Sequence, residues 1–165
     1  MLAVASLASA LCVAIMALGT FFEVMDISLA ILAGLIVCVL SLEFGVKWGL
    51  AVFLVGGLLS LLLPRKDAGI IFLLFCGWYP VAQKKIQLLK PLYAWIIKEA
   101  AFNVVLAAYL FIAIRFLGLV EEKWITVLTA VFANILFILY DVLLDRFQIY
   151  YILKLRDRIG MNKFK

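Results

Sequence analysis

The chain has 165 residues, 68% of them hydrophobic and 15% charged; 15 Lys and Arg against 10 Asp and Glu give a net charge of +5, and there is no His. With a mean hydropathy of +1.23, it has too little polar surface to coat a water-soluble globule, so its composition predicts an integral membrane protein. The absence of His also excludes His-completed zinc sites and His-based general bases.

In chain order, the first apolar run covers 2–22 and ends at Glu23 and Asp26. Ala8-Ser9-Ala10 has the composition of a leader cleavage site. No basic segment precedes it and the apolar run continues beyond it, so the run is expected to be a retained span. Ser6, Ala10 and Ala14 recur every fourth residue, with Ala3 and Ala17 close to the same stripe. This gives a groove of small side chains that another helix can approach closely, either in the same chain or in a partner. The second run, 27–42, ends at Glu43, and the third, 48–63, stops at Pro64-Arg65-Lys66-Asp67. The fourth, 68–83, stops at Lys84-Lys85, with Pro80 expected at its exit. These three are short for a span of roughly 20 residues and need flanking residues or a thinned bilayer. Residues 84–91, with Lys bracketing Ile86, Leu88 and Leu89, are expected to form a short interfacial helix. The fifth run, about 92–120, is the longest; the sixth is 124–144, and 145–165 is a basic amphipathic tail. The runs are continuous and lack strand alternation, so the expected fold is all-α, a compact six-helix transmembrane bundle forming a single transmembrane domain.

Lys47, Lys84, Lys85, Lys90, Arg146 and the tail cations fall on one side of that bundle. Only Arg65, Lys66 and Lys123 fall on the other, beside Glu23, Asp26, Asp67, Glu121 and Glu122. The positive-inside rule then puts both termini in the cytoplasm. Trp78, Tyr79, Tyr93, Trp95, Tyr150 and Tyr151 lie near the inner boundary and Trp124 near the outer one, as interfacial aromatic residues do. The net positive charge is spread along one membrane face with no base-stacking module around it, so nucleic acid is not an expected partner. The tail suits anionic lipid or a cytoplasmic partner.

No chemical signature stands out. Cys12, Cys38 and Cys76 lie in three different runs without paired spacing, and no Gly-rich stretch ends in Gly-Lys-Ser/Thr. Neither an enzyme nor a bound metal or cofactor is expected. What remains is a handful of polar residues inside apolar runs: Lys98, Glu99 and Asn103 in the fifth, and Asn134, Asp141 and Asp145 in the sixth. Unpaired ionisable groups at that depth cost about 2.5–3.5 kcal/mol. Two antiparallel helices put Lys98 and Asp141 at one depth, which predicts an ion pair, acting as a structural clamp or as a coupling element. Arg115, near the outer end of the fifth run, needs Glu23, Asp26 or a ligand carboxylate or phosphate, or else snorkels to the headgroups.

Six runs in a short chain, the stripe Ser6-x-x-x-Ala10-x-x-x-Ala14 and the stretch Asp26-Ile27-Ser28 to Ala33-Gly34 together resemble the substrate-binding S components of energy-coupling factor vitamin transporters. The resemblance covers the whole chain. It implies that Ser6, Ala10 and Ala14 dock on a transmembrane coupling protein driven by ATPase subunits. It further implies that the outer ends of the later helices and the first outer loop bind a small organic nutrient, which makes Glu23, Asp26, Tyr109, Arg115, Trp124 and Asn134 the candidate substrate residues. The loop 23–26 is short for a substrate lid. On this resemblance the protein belongs in a bacterial cytoplasmic membrane. The rod-shape-determining membrane proteins are also similar in helix count, and they imply instead a non-transporting scaffold whose partners are other membrane proteins.

Overall fold

In a medium without water, backbone N–H and C=O groups must bond within the chain, and long apolar runs do so as helices. The structure, a computed structural model, describes residues 1–22, 25–116 and 123–156, and every regular element among them is helical. The elements are α1 (Leu2–Ala17) with a 3-10 turn (Leu18–Thr20), α2 (Asp26–Phe44), α3 (Val46–Ser60) and α4 (Asp67–Ile71) with a π-helical turn (Phe72–Cys76). They continue with α5 (Tyr79–Ile86), α6 (Pro91–Phe116) and α7 (Lys123–Tyr150), which runs on into a second π-helical turn (Tyr151–Leu155).

Among the described residues, four stretches are long and apolar enough to cross a membrane: Leu2–Thr20, Asp26–Phe44, Pro91–Phe111 and Trp124–Lys154. The third run forms a helix of 15 residues, about 22 Å long at 1.5 Å per residue, short of a hydrocarbon core of about 30 Å. The fourth run is not one helix. It is divided into α4, a π-helical turn and α5, with a turn at Gly77 and Trp78. Pro80 stands in the first turn of α5 and not at a helix exit, because a missing N–H is harmless only there. Residues 84–91 likewise form no helix of their own: Lys84 and Lys85 close the last turn of α5, where they complement its dipole, and a turn leads to Pro91 at the head of α6.

The contacts of the chain fall into two compact units, Met1–Lys85 with the chain from Arg146 onward, and Ile86–Asp145. In the first, α1, α2 and α3 pack on one another, and α4 and its π-helical turn pack on α2 and α3. Small residues set the approach. A methyl group on Gly49 would lie 2.8 Å from the Ser41 Cβ, so α2 and α3 meet backbone to backbone there. Cys12, Met16, Ala30, Ala33, Val37, Val52 and Phe72 fill the interior, and the Cys12 thiol points at the Ala33 carbonyl, 3.6 Å away. The second unit is the antiparallel hairpin of α6 with α7 as far as Asp145.

Candidate functional sites

In the hairpin, the polar residues of the two helices meet in rungs. Lys98 Nζ lies 3.0 Å from both carboxylate oxygens of Asp141, and its side chain is 8% exposed. One turn along, Phe102 stacks on Phe137 with ring centroids 4.5 Å apart. Beyond that, Asn103 donates to Asn134 Oδ1 at 3.0 Å and to the Glu99 carbonyl at 2.9 Å; Asn134 donates to Asn103 Oδ1 at 3.3 Å and to the Ala130 carbonyl at 2.8 Å. All four amide N–H bonds of the asparagine pair are engaged, so only lone pairs remain for anything else. At the other end of the hairpin Gln87 donates to Asp145.

At one end of the first unit, Asp26 opens α2 with its carboxylate beside the helix N-terminus, a favourable place for negative charge. Its Oδ2 lies 3.7 Å from Arg65 Nη2, and the same guanidinium is 3.5 Å from Asp67 Oδ2 at the head of α4. The second oxygen, Oδ1, is buried against Gly19 and has no hydrogen-bond partner among the described residues. A carboxylate oxygen shielded from solvent carries a large desolvation penalty unless a donor reaches it.

The opposite end of this unit holds a polar cluster that the sequence did not signal. Gln148 donates to Gln83 at 2.8 Å with both side chains buried, and it also bonds Cys38. Arg156 Nε lies 3.1 Å from Glu43 Oε1, and Tyr151 bonds the same carboxylate. Neutral amides in apolar runs carry no charge signal. Their pairing joins residues 65 apart in sequence, which no local pattern encodes.

The remaining candidates are separately placed. Ser6, Ala10 and Ala14 are all exposed along α1. Ser9, Cys12, Met16 and Gly19, on another face, are buried, and Gly56 of α3 sits against Ser9 and Cys12. The Ser6 hydroxyl donates to the Leu2 carbonyl at 3.0 Å, so the exposed stripe presents no unsatisfied donor. Tyr109 and Trp124 are exposed in the hairpin. Glu23 lies outside the described residues, and of Arg115 only the backbone, within α6, is described. Among the described residues no three His, Cys, Asp or Glu side chains converge.

In comparisons with known proteins, no family model, curated protein or solved structure matches the chain.

Proposed function

We propose that the protein is a membrane-embedded subunit that binds a small organic nutrient and is energised by a partner ATPase module, in the manner of the S components it resembles. In this reading the six apolar runs cross a bacterial cytoplasmic membrane with both termini inside, and the short third and fourth runs sit in a locally thin bilayer. The observation that carries the reading is the open small-residue face of α1. Ser6, Ala10 and Ala14 are exposed, while the helix already satisfies its own packing through Ser9, Cys12 and Met16. A second helix can therefore approach α1 closely without displacing anything, as docking in lipid requires. Asp26 Oδ1, buried and without a partner among the described residues, supports the ligand half of the reading, since an ammonium or hydroxyl donor would complete it.

Gentle isolation of the full chain followed by native mass spectrometry tests this. The expected spectrum carries an additional small organic mass that Asp26→Asn loses while the variant still unfolds cooperatively, its melting temperature lowered only by the lost Arg65 pair. A bare chain after nutrient-replete growth would overturn the ligand reading.

The non-transporting scaffold is favoured by one specific observation, the closure of the hairpin rungs on themselves. Lys98 with Asp141 and Asn103 with Asn134 are spent on each other, as groups holding a rigid assembly surface would be. A scaffold would keep the α1 partner and lack both the ATPase subunits and the ligand.

A further inference from the structure

We propose that the first unit carries a binding site for one anionic phospholipid between the start of α3 and α5, a site that needs neither transport nor a partner. A recess of about 220 Å³ opens there, lined by Val46 and Leu50 of α3, by Trp78, and by Val81, Ala82 and Lys85 of α5. Five of the six lining residues are apolar or aromatic, and the sixth is a lysine. Lys47 follows Val46 in sequence and Lys84 precedes Lys85; all three lysines are exposed. Among the described residues no carboxylate pairs with any of them. The nearest acid in sequence, Glu43, is already taken by Arg156.

The depth of the recess suits a lipid. Gly45 turns the chain between α2 and α3, so Val46 begins its helix at a corner, where the membrane meets water. With only 15 residues, α3 falls short of the roughly 30 Å hydrocarbon core, which draws headgroups toward its ends. Trp78, an interfacial residue type, is held in place by its indole N–H, which donates to the Leu74 carbonyl at 2.8 Å. An acyl chain can then lie along Leu50, Trp78 and Val81, with its phosphate beside the Lys85 ammonium. The uncompensated lysines select negative headgroups over zwitterionic ones, at about 1 kcal/mol for each cation near the surface.

The test uses the full chain in nanodiscs of mixed phosphatidylglycerol and phosphatidylcholine, released into a native mass spectrometer. Wild type is expected to keep one phosphatidylglycerol in preference to phosphatidylcholine. Lys85→Gln should lower that retention about fivefold, the worth of one lysine beside an anionic lipid. Leu50→Trp, which fills the recess from the exposed surface of α3, should lower it with either headgroup. Lys66→Gln, a charge removal beyond the opposite end of α3, should leave it unchanged. Equal retention of the two lipids, or unchanged retention in both Lys85→Gln and Leu50→Trp, overturns the proposal. So does displacement of the lipid by inorganic phosphate, which would mean a phosphate site, or a lipid-free dimer that Leu50→Trp breaks, which would mean a protein interface.

Discussion

Gly45 has φ of +92° and ψ of 166°, a region essentially restricted to glycine, where any other residue costs on the order of 1–3 kcal/mol. An added methyl group would meet nothing within 4 Å, so Gly45→Ala isolates the backbone term. Its melting temperature in detergent should fall although no contact is lost; an unchanged value would mean that the corner is not held in this conformation. Lys98 and Asp141 make the complementary case, in which the side chains carry the energy. Removing one member of a buried ion pair leaves an uncompensated charge and costs about 3 kcal/mol or more, whereas an uncharged interhelical hydrogen bond in a membrane averages about 0.6 kcal/mol. Lys98→Leu and Asp141→Leu should therefore each destabilise far more than Asn103→Ala, and the double variant Lys98→Leu/Asp141→Leu should recover most of the loss. Additive losses in that thermal-unfolding cycle would contradict a direct pair. This pairing was legible in the sequence because ionisable residues inside apolar runs are rare and an antiparallel hairpin matches their depths.

Among the elements, the meeting of α1, α2 and α3 is governed by which glycine faces which backbone. A methyl group at Gly49 would come within 2.8 Å of the Ser41 Cβ and 3.2 Å of its Cα, whereas at Gly56 the nearest atom, the Cys12 Cβ, is 3.4 Å away. Gly49→Ala must push α2 and α3 apart and should cost about 1–3 kcal/mol, while Gly56→Ala should be tolerated. Equilibrium unfolding of the two variants checks this, and equal behaviour would refute the backbone contact. The helical segments themselves were legible from hydropathy, since a long apolar run has no other way to bond its backbone in lipid. The division of the fourth run was not. Hydropathy stays high through Phe72–Cys76, and the turn at Gly77 and Trp78 follows from local geometry that no average over the run registers. The face of α1 was legible only as a stripe; which stripe is consumed by packing depends on where Gly56 and Ala33 lie, which is a matter of tertiary structure.

At the scale of the molecule, the proposed binding subunit rests on the exposed stripe of α1, on an Asp26 oxygen without a partner among the described residues and on the polar rungs of the α6–α7 hairpin. Asp26 was legible as a candidate because it interrupts apolar sequence, but its setting beside Gly19 and Arg65 was not, since those residues come from different elements. The cluster of Gln83, Gln148, Glu43 and Arg156 was invisible for the same reason. The open face of α1 bears the most weight, and Ala10 lies in the middle of it. The decisive measurement is the protein composition, by mass spectrometry, of the complex isolated from native membranes with wild type and with Ala10→Trp, both checked for equal melting temperature. If the proposed function holds, wild type brings a transmembrane partner together with ATPase subunits in fixed stoichiometry, and Ala10→Trp brings neither. A partner retained in full by Ala10→Trp, or a wild-type complex lacking ATPase subunits, would contradict it.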